Sequence, residues 1–118
     1  MKAILINSNA QTVTLVDVNP KNFLDDAHRL IDCDCFCLGG ELDNGDHCLV
    51  DDEGLLKGKR FFFKWEGYPH NPLAGNGLVC GSDRNGETVD VKTSLEAIKA
   101  KVSFFCRIGR TLINLTDN

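Results

Sequence analysis

Between Asp43 and Gly81 a turn, Asp43-Asn44-Gly45-Asp46, leads to the basic aromatic run of residues 57–65 and then to Leu78-Val79-Cys80, an apolar triplet bracketed by Gly77 and Gly81. Turn signals this closely spaced leave room only for short strands. Cys48-Leu49-Val50 reads as one strand, residues 60–65 as an aromatic-rich second and residues 78–80 as a buried third. Asp52-Glu53-Gly54 and residues 82–86 form turns between such segments. These elements pair most simply as an antiparallel meander.

The flanks add helices. Residues 2–7 and 12–18 are β-branched segments on either side of Ser8-Asn9-Ala10, which predicts a hairpin. Asn19-Pro20 has the form of an N-cap followed by proline in the first helical position. Phe23, Ala27, Leu30 and Ile31 then recur at helical spacing, predicting a helix over residues 20–31. Residues 33–38 return to a strand pattern that ends at the bend Gly39-Gly40. Residues 67–72 are loop chemistry, because each proline biases its predecessor away from helix. Thr93 and Glu96 fit a capping box, and Leu95, Ile98, Val102 and Phe105 mark the core face of a second helix, with Gly109 near its end. Leu112, Ile113 and Leu115 form either a closing strand or a packed tail. The expected fold is α+β, a mostly antiparallel sheet of about five to six strands with two helices packed on one face.

With 118 residues, 42% of them hydrophobic, the chain supplies one core and one domain. Its N-terminus has too short an apolar run for an export signal, and no segment approaches the roughly 20 apolar residues that span a bilayer. The six cysteines therefore read as reduced thiols in a soluble, cytoplasmic protein that does not engage membranes. The net charge of −4 hides an asymmetry: residues 25–53 carry ten acids against Arg29 alone, whereas residues 54–118 carry ten basic residues against six acids.

Several groupings invite a chemical reading. Asp32, Asp34, Asp43, Asp46, Asp51 and Asp52 could form an acidic surface that imitates a phosphate backbone and binds a partner protein, against the commoner reading of a solvated rim. Lys59, Arg60 and Lys64 interleave with aromatics that include Trp65, the composition of a single-strand nucleic-acid platform; the plainer reading puts Phe61, Phe63 and Trp65 on a core-facing strand side. Tyr68, His70, Asn71 and Asn76 frame a loop that could border a small-molecule pocket. Cys33, Cys35 and Cys37 alternate as if along one strand face, too far apart to converge on one zinc, so they read as small buried hydrophobes. His28 and His47 fit no standard metal spacing. Residues 75–81 are only superficially like a dinucleotide fingerprint, since their glycines precede a strand. No metal, cofactor or catalytic constellation is indicated, and the expectation is a protein that is not an enzyme.

The motifs Cys48-Leu49-Val50-Asp51-Asp52-Glu53-Gly54, Leu56-Lys57-Gly58 and residues 71–81 (NPLAGNGLVCG) resemble the domain of unknown function 3846 family over residues 1–104. Residues 105–118 then read as a variable tail. The resemblance implies an origin in phages, plasmids or other mobile elements, and hence an accessory protein that binds a host macromolecule, with counter-defence as one role. Single-stranded nucleic-acid binding and a small-molecule or enzymatic function are the alternatives. Residues 60–65, where a polar Asn-rich segment is expected, and the tail after Phe105 depart from the family pattern.

Overall fold

The computed structural model describes residues 1–116. Its elements are β1 (Lys2–Asn7), β2 (Thr12–Asp17), a 3-10 turn (Pro20–Asn22), α1 (Phe23–Ile31), β3 (Phe36–Glu41), β4 (His47–Asp51), β5 (Phe61–Trp65), β6 (Tyr68–Ala74), β7 (Gly77–Ser82), β8 (Thr88–Val89), α2 (Leu95–Ala100), β9 (Ser103–Ile108) and β10 (Thr111–Asn114). One sheet runs β2-β1-β7-β4-β3 with β8 beside β7, and a second runs β10-β9-β5-β6. Every pairing is antiparallel. The α+β class holds, but the described residues form two sheets and ten strands where one sheet of about half that number was expected.

The reason lies in β7. Leu78 sits between Leu5 and Leu49, and Val79 between Ile4 and Cys48. Successive side chains leave a strand on opposite faces, so an apolar central strand needs cover on both. On one face Ala3, Leu49, Leu78 and Cys80 pack with Ala27 and Ile31 of α1. On the other, Ile4, Ile6, Cys48 and Val79 pack with Phe63, Trp65 and Phe104 of the second sheet and with Ile98 and Val102. The helices therefore belong to opposite faces of the first sheet, not to one.

Three further expectations shift. The second helix stops at Ala100, because the aromatics Phe104 and Phe105 join β9, where Phe104 pairs with Phe63 and Phe105 with Phe62. Its cap is Ser94, whose Oγ accepts from Ala97 N at 3.1 Å, one residue later than the Thr93 box. Residues 68–74 are a strand and not a loop. β6 is a sheet edge bonded only to β5, and an edge tolerates the missing amides of Pro69 and Pro72. The tail forms the β9–β10 hairpin, and residues 117 and 118 lie outside the described residues.

Thr93 has another task. The fully buried Asp46 carboxylate accepts from Lys92 N at 3.0 Å, Thr93 N at 2.7 Å and Thr93 Oγ1 at 2.5 Å, fastening the β3–β4 turn to the lead-in of α2. Asp46→Ala strips these donors of their acceptor and is expected to lower stability by about 2–4 kcal/mol. Asp46→Asn, which keeps an acceptor oxygen, should cost less; urea unfolding of both variants measures the difference.

Candidate functional site

The six acids of the proposed strip do not share a surface. Asp46 is buried in its hydrogen bonds, and the Asp51 side chain is 1% exposed, so neither can meet a partner. Asp32, Asp34, Asp43 and Asp52 are exposed but do not lie together. Asp43 stands with Glu41 and Glu66 at the β3–β4 turn. Asp52 is at the other end of that hairpin, its N–H donating to Cys35 O at 3.0 Å.

Asp51 is instead the anchor of residues 52–58. Its Oδ1 accepts from Glu53 N at 3.0 Å, while Lys57 Nζ lies 2.8 Å and Lys59 Nζ 3.5 Å from Oδ2, which is satisfied by charge and not by an aligned hydrogen bond. Burial pushes the Asp51 carboxyl up, but Lys57 and the Glu53 amide outweigh it and hold the group below its ordinary 3.8.

The anchored segment forms one wall of a groove of about 460 Å³, with Cys37, Leu38 and Val50 on a second wall and Tyr68, Asn71, Pro72 and Leu73 of β6 on the third. Leu38 is 58% exposed, Leu55 72% and Leu56 88%, so three large apolar side chains stand in solvent around one depression. Asp52 lines the same groove. Of the four residues expected around a pocket, Tyr68 and Asn71 are in it. His70 stands outside with its ring edge-on to Tyr68 at 5.5 Å, and Asn76 holds Ser8 N and Leu30 O elsewhere in the fold.

The cysteines do not share a strand face. Asp32, in the left-handed region at φ 62°, ends α1, and β3 begins only at Phe36, so Cys33 and Cys35 precede the strand. Cys33 is half-buried, whereas Cys35 and Cys37 are exposed instead of in the core. Burial, followed by the Asp51 charge, pushes the Cys33 thiol up to about 11, and burial together with Asp52 raises Cys37. These two thiols stay protonated at neutral pH and are poor nucleophiles. The His28 ring lies 5.2 Å from that of Phe36, tilted by 58°, and His47 Nδ1 lies 3.3 Å from Gly45 O. Among the described residues no group of three His, Cys, Asp or Glu side chains is placed to hold a metal.

The basic aromatic run divides as well. Phe63 and Trp65 face the core, and Trp65 Nε1 donates to Gly39 O at 2.7 Å, so Trp65 offers no face for a base. Phe62, on the opposite face, is buried with the Arg107 guanidinium 5.8 Å above its ring. Lys59 and Arg60 line a separate cleft beside the β6–β7 turn, and Lys64 stands at the far end of β5 near Lys101. Sequence reasoning missed Leu38, Leu55 and Leu56 as a set. The available signal was the pair Leu55-Leu56, apolar residues stranded inside a turn-rich segment with no strand or helix period.

Fold and groove together define a two-sheet α+β domain with an open, leucine-rimmed recess. The family model described as Domain of unknown function (DUF3846) matches residues 1–103, and the chain belongs to that family. No curated protein and no solved structure matches it. Among the described residues no helix is long and apolar enough to cross a membrane.

Because Asp51 has a folded-state pKa below its unfolded value, it contributes stability above pH 3.8 that is lost as the pH falls through the lowered pKa. Lys57→Met removes the nearest cation and raises that pKa, so acid unfolding should begin at higher pH than in the parent. The fluorescence of the single, buried Trp65 reports the midpoint.

Proposed function

We propose that this protein is a non-enzymatic accessory protein of a phage or mobile element that acts by binding a host protein, and that the partner docks in the groove between β3, residues 52–58 and β6. The observation that supports this most directly is the cluster of exposed Leu38, Leu55 and Leu56. Solvent-exposed leucines gathered around a recess are the composition of an interface centre, where a partner's aromatic or aliphatic side chain excludes water. Asp52 lines the groove, Glu53 follows it in the same segment, and Asp34 adjoins it through the bond from Asp52 N to Cys35 O, so carboxylates border the groove. That rim complements a basic partner surface, as carried by proteins that handle nucleic acid, and the role proposed is counter-defence by occupying such a protein. The acidic contact is thus reduced to Asp34, Asp52 and Glu53 around an apolar centre, in place of the six-residue strip.

The test is capture from nuclease-treated bacterial lysate with the parent chain, Leu55→Glu/Leu56→Glu and Asp34→Lys/Asp52→Lys. All four positions are exposed, and circular dichroism should show unchanged folds. One stoichiometric protein should bind the parent. Each lost leucine should weaken it by about 2 kcal/mol, roughly thirtyfold. A partner retained equally by all three proteins would remove the groove as its site.

A further inference from the structure

A second recess, of about 470 Å³, lies where the β1–β2 turn, the end of α1, the lead-in to β5 and the β6–β7 turn meet. Lys59, Arg60 and Phe61 line it consecutively, together with Asp32, Asn7, Asn9 and Asn76. It is separate from the leucine groove and does not depend on the docking reading.

Its cations have charge to spare. Asp51 is already met by Lys57 at 2.8 Å, with Lys59 a more distant second ammonium at 3.5 Å, so two positive charges face one carboxylate. Arg60 is exposed and has no ion pair among the described residues. The Lys59 ammonium is restrained by Asp51 at 3.5 Å, and its side chain lies over Gly75, whose left-handed φ of +80° and missing Cβ leave the space it occupies. A Cβ there would come within 2.9 Å of Nζ and 3.0 Å of Cδ. An ammonium fixed in this way loses little freedom when an anion arrives. On the polar side, Asn7 Oδ1 accepts from Ala10 N at 3.0 Å, which leaves its amide donors available, and the Asn9 side chain makes no hydrogen bond among the described residues. Phe61 is half-buried and presents part of its ring to the recess.

We propose that this recess binds a nucleoside monophosphate. Lys59 and Arg60 take the phosphate, where a guanidinium can pair two oxygens at once. Phe61 flanks the base, and Asp32 accepts from sugar hydroxyls. A bare anion satisfies only the cationic wall and is repelled by Asp32, whereas a nucleotide separates its phosphate from neutral donors by several bonds and matches both walls. The volume lies within the range of pockets that enclose ligands of this size.

Isothermal titration of the full chain with the four ribonucleoside 5′-monophosphates, adenosine and inorganic phosphate tests this. At least one monophosphate should bind saturably, and adenosine and phosphate alone should each bind at least about tenfold more weakly. Arg60→Ala should weaken the nucleotide by about tenfold or more. Arg110→Ala, at an exposed position in the β9–β10 turn, should leave it unchanged. Asn9→Asp, an exposed change that adds a negative charge to the recess, serves as a second weakening variant. The proposal is overturned if no monophosphate saturates up to about 10 mM, if Arg60→Ala binds like the parent, or if phosphate alone binds as tightly as the nucleotide.

Discussion

Everything in this fold is arranged around a strand that cannot be exposed on either side. β7 carries Leu78 and Cys80 toward α1 and Val79 toward the second sheet, and it is hydrogen-bonded by β1 and β4 along its two edges. Fully burying one such side chain is worth about 1.5–3 kcal/mol, so leaving either face of the strand in water would consume a large part of the net stability of a domain this size. Gly77 shows how closely the cover is applied, since a Cβ there would come within 2.6 Å of both Cys48 Sγ and Phe63 Cζ. The three-layer order of helix, sheet and sheet follows from that requirement.

Two packed sheets leave edges, and the edges are where the candidate sites form. β3 and β6 are terminal strands of their respective sheets, and residues 52–58 cross between them. The buried carboxylate of Asp51, held by Lys57 and Lys59, ties that crossing down together with the Asp52 N–H on Cys35 O, so Leu55 and Leu56 are presented on a fixed support with no burial of their own. The same lysine pair joins the two recesses: Asp51 lines the leucine groove, while Lys59 lines the polar cleft.

Local chemistry made much of this legible. The β1–β2 hairpin, the Asn19-Pro20 cap of the 3-10 turn that leads into α1 at Phe23, and the buried triplet at 78–80 follow from turn residues, capping and apolar runs, which act within a few residues. What failed depended on distant partners. Phe105 fits a helical period as well as a strand, and only the aromatics of β5 decide for the strand. Pro69 and Pro72 signal a loop until β6 is known to lie at an edge, where their missing amides cost nothing. Asp46 and Asp51 are indistinguishable in sequence from the exposed Asp43 and Asp52, because burial of a carboxylate is decided by donors 46 and 47 residues away, or by lysines whose direction the sequence does not encode.

The aromatic run and the residues that follow the family match turn out to be neighbours. Residues 60–65 supply β5, and the residues after 103, where the family match ends, supply nearly all of β9 and the whole of β10. Phe62 lies opposite Phe105 and Phe61 opposite Cys106, and Arg107 closes over the Phe62 ring. An aromatic strand with no neighbour beyond it would be an exposed, adhesive edge. The hairpin that follows the matched region covers that edge, so the aromatic run and the tail are one structural feature written in two places, each requiring the other. The leucine groove stands on the opposite side of β5, against β6, and its walls come entirely from within the matched residues.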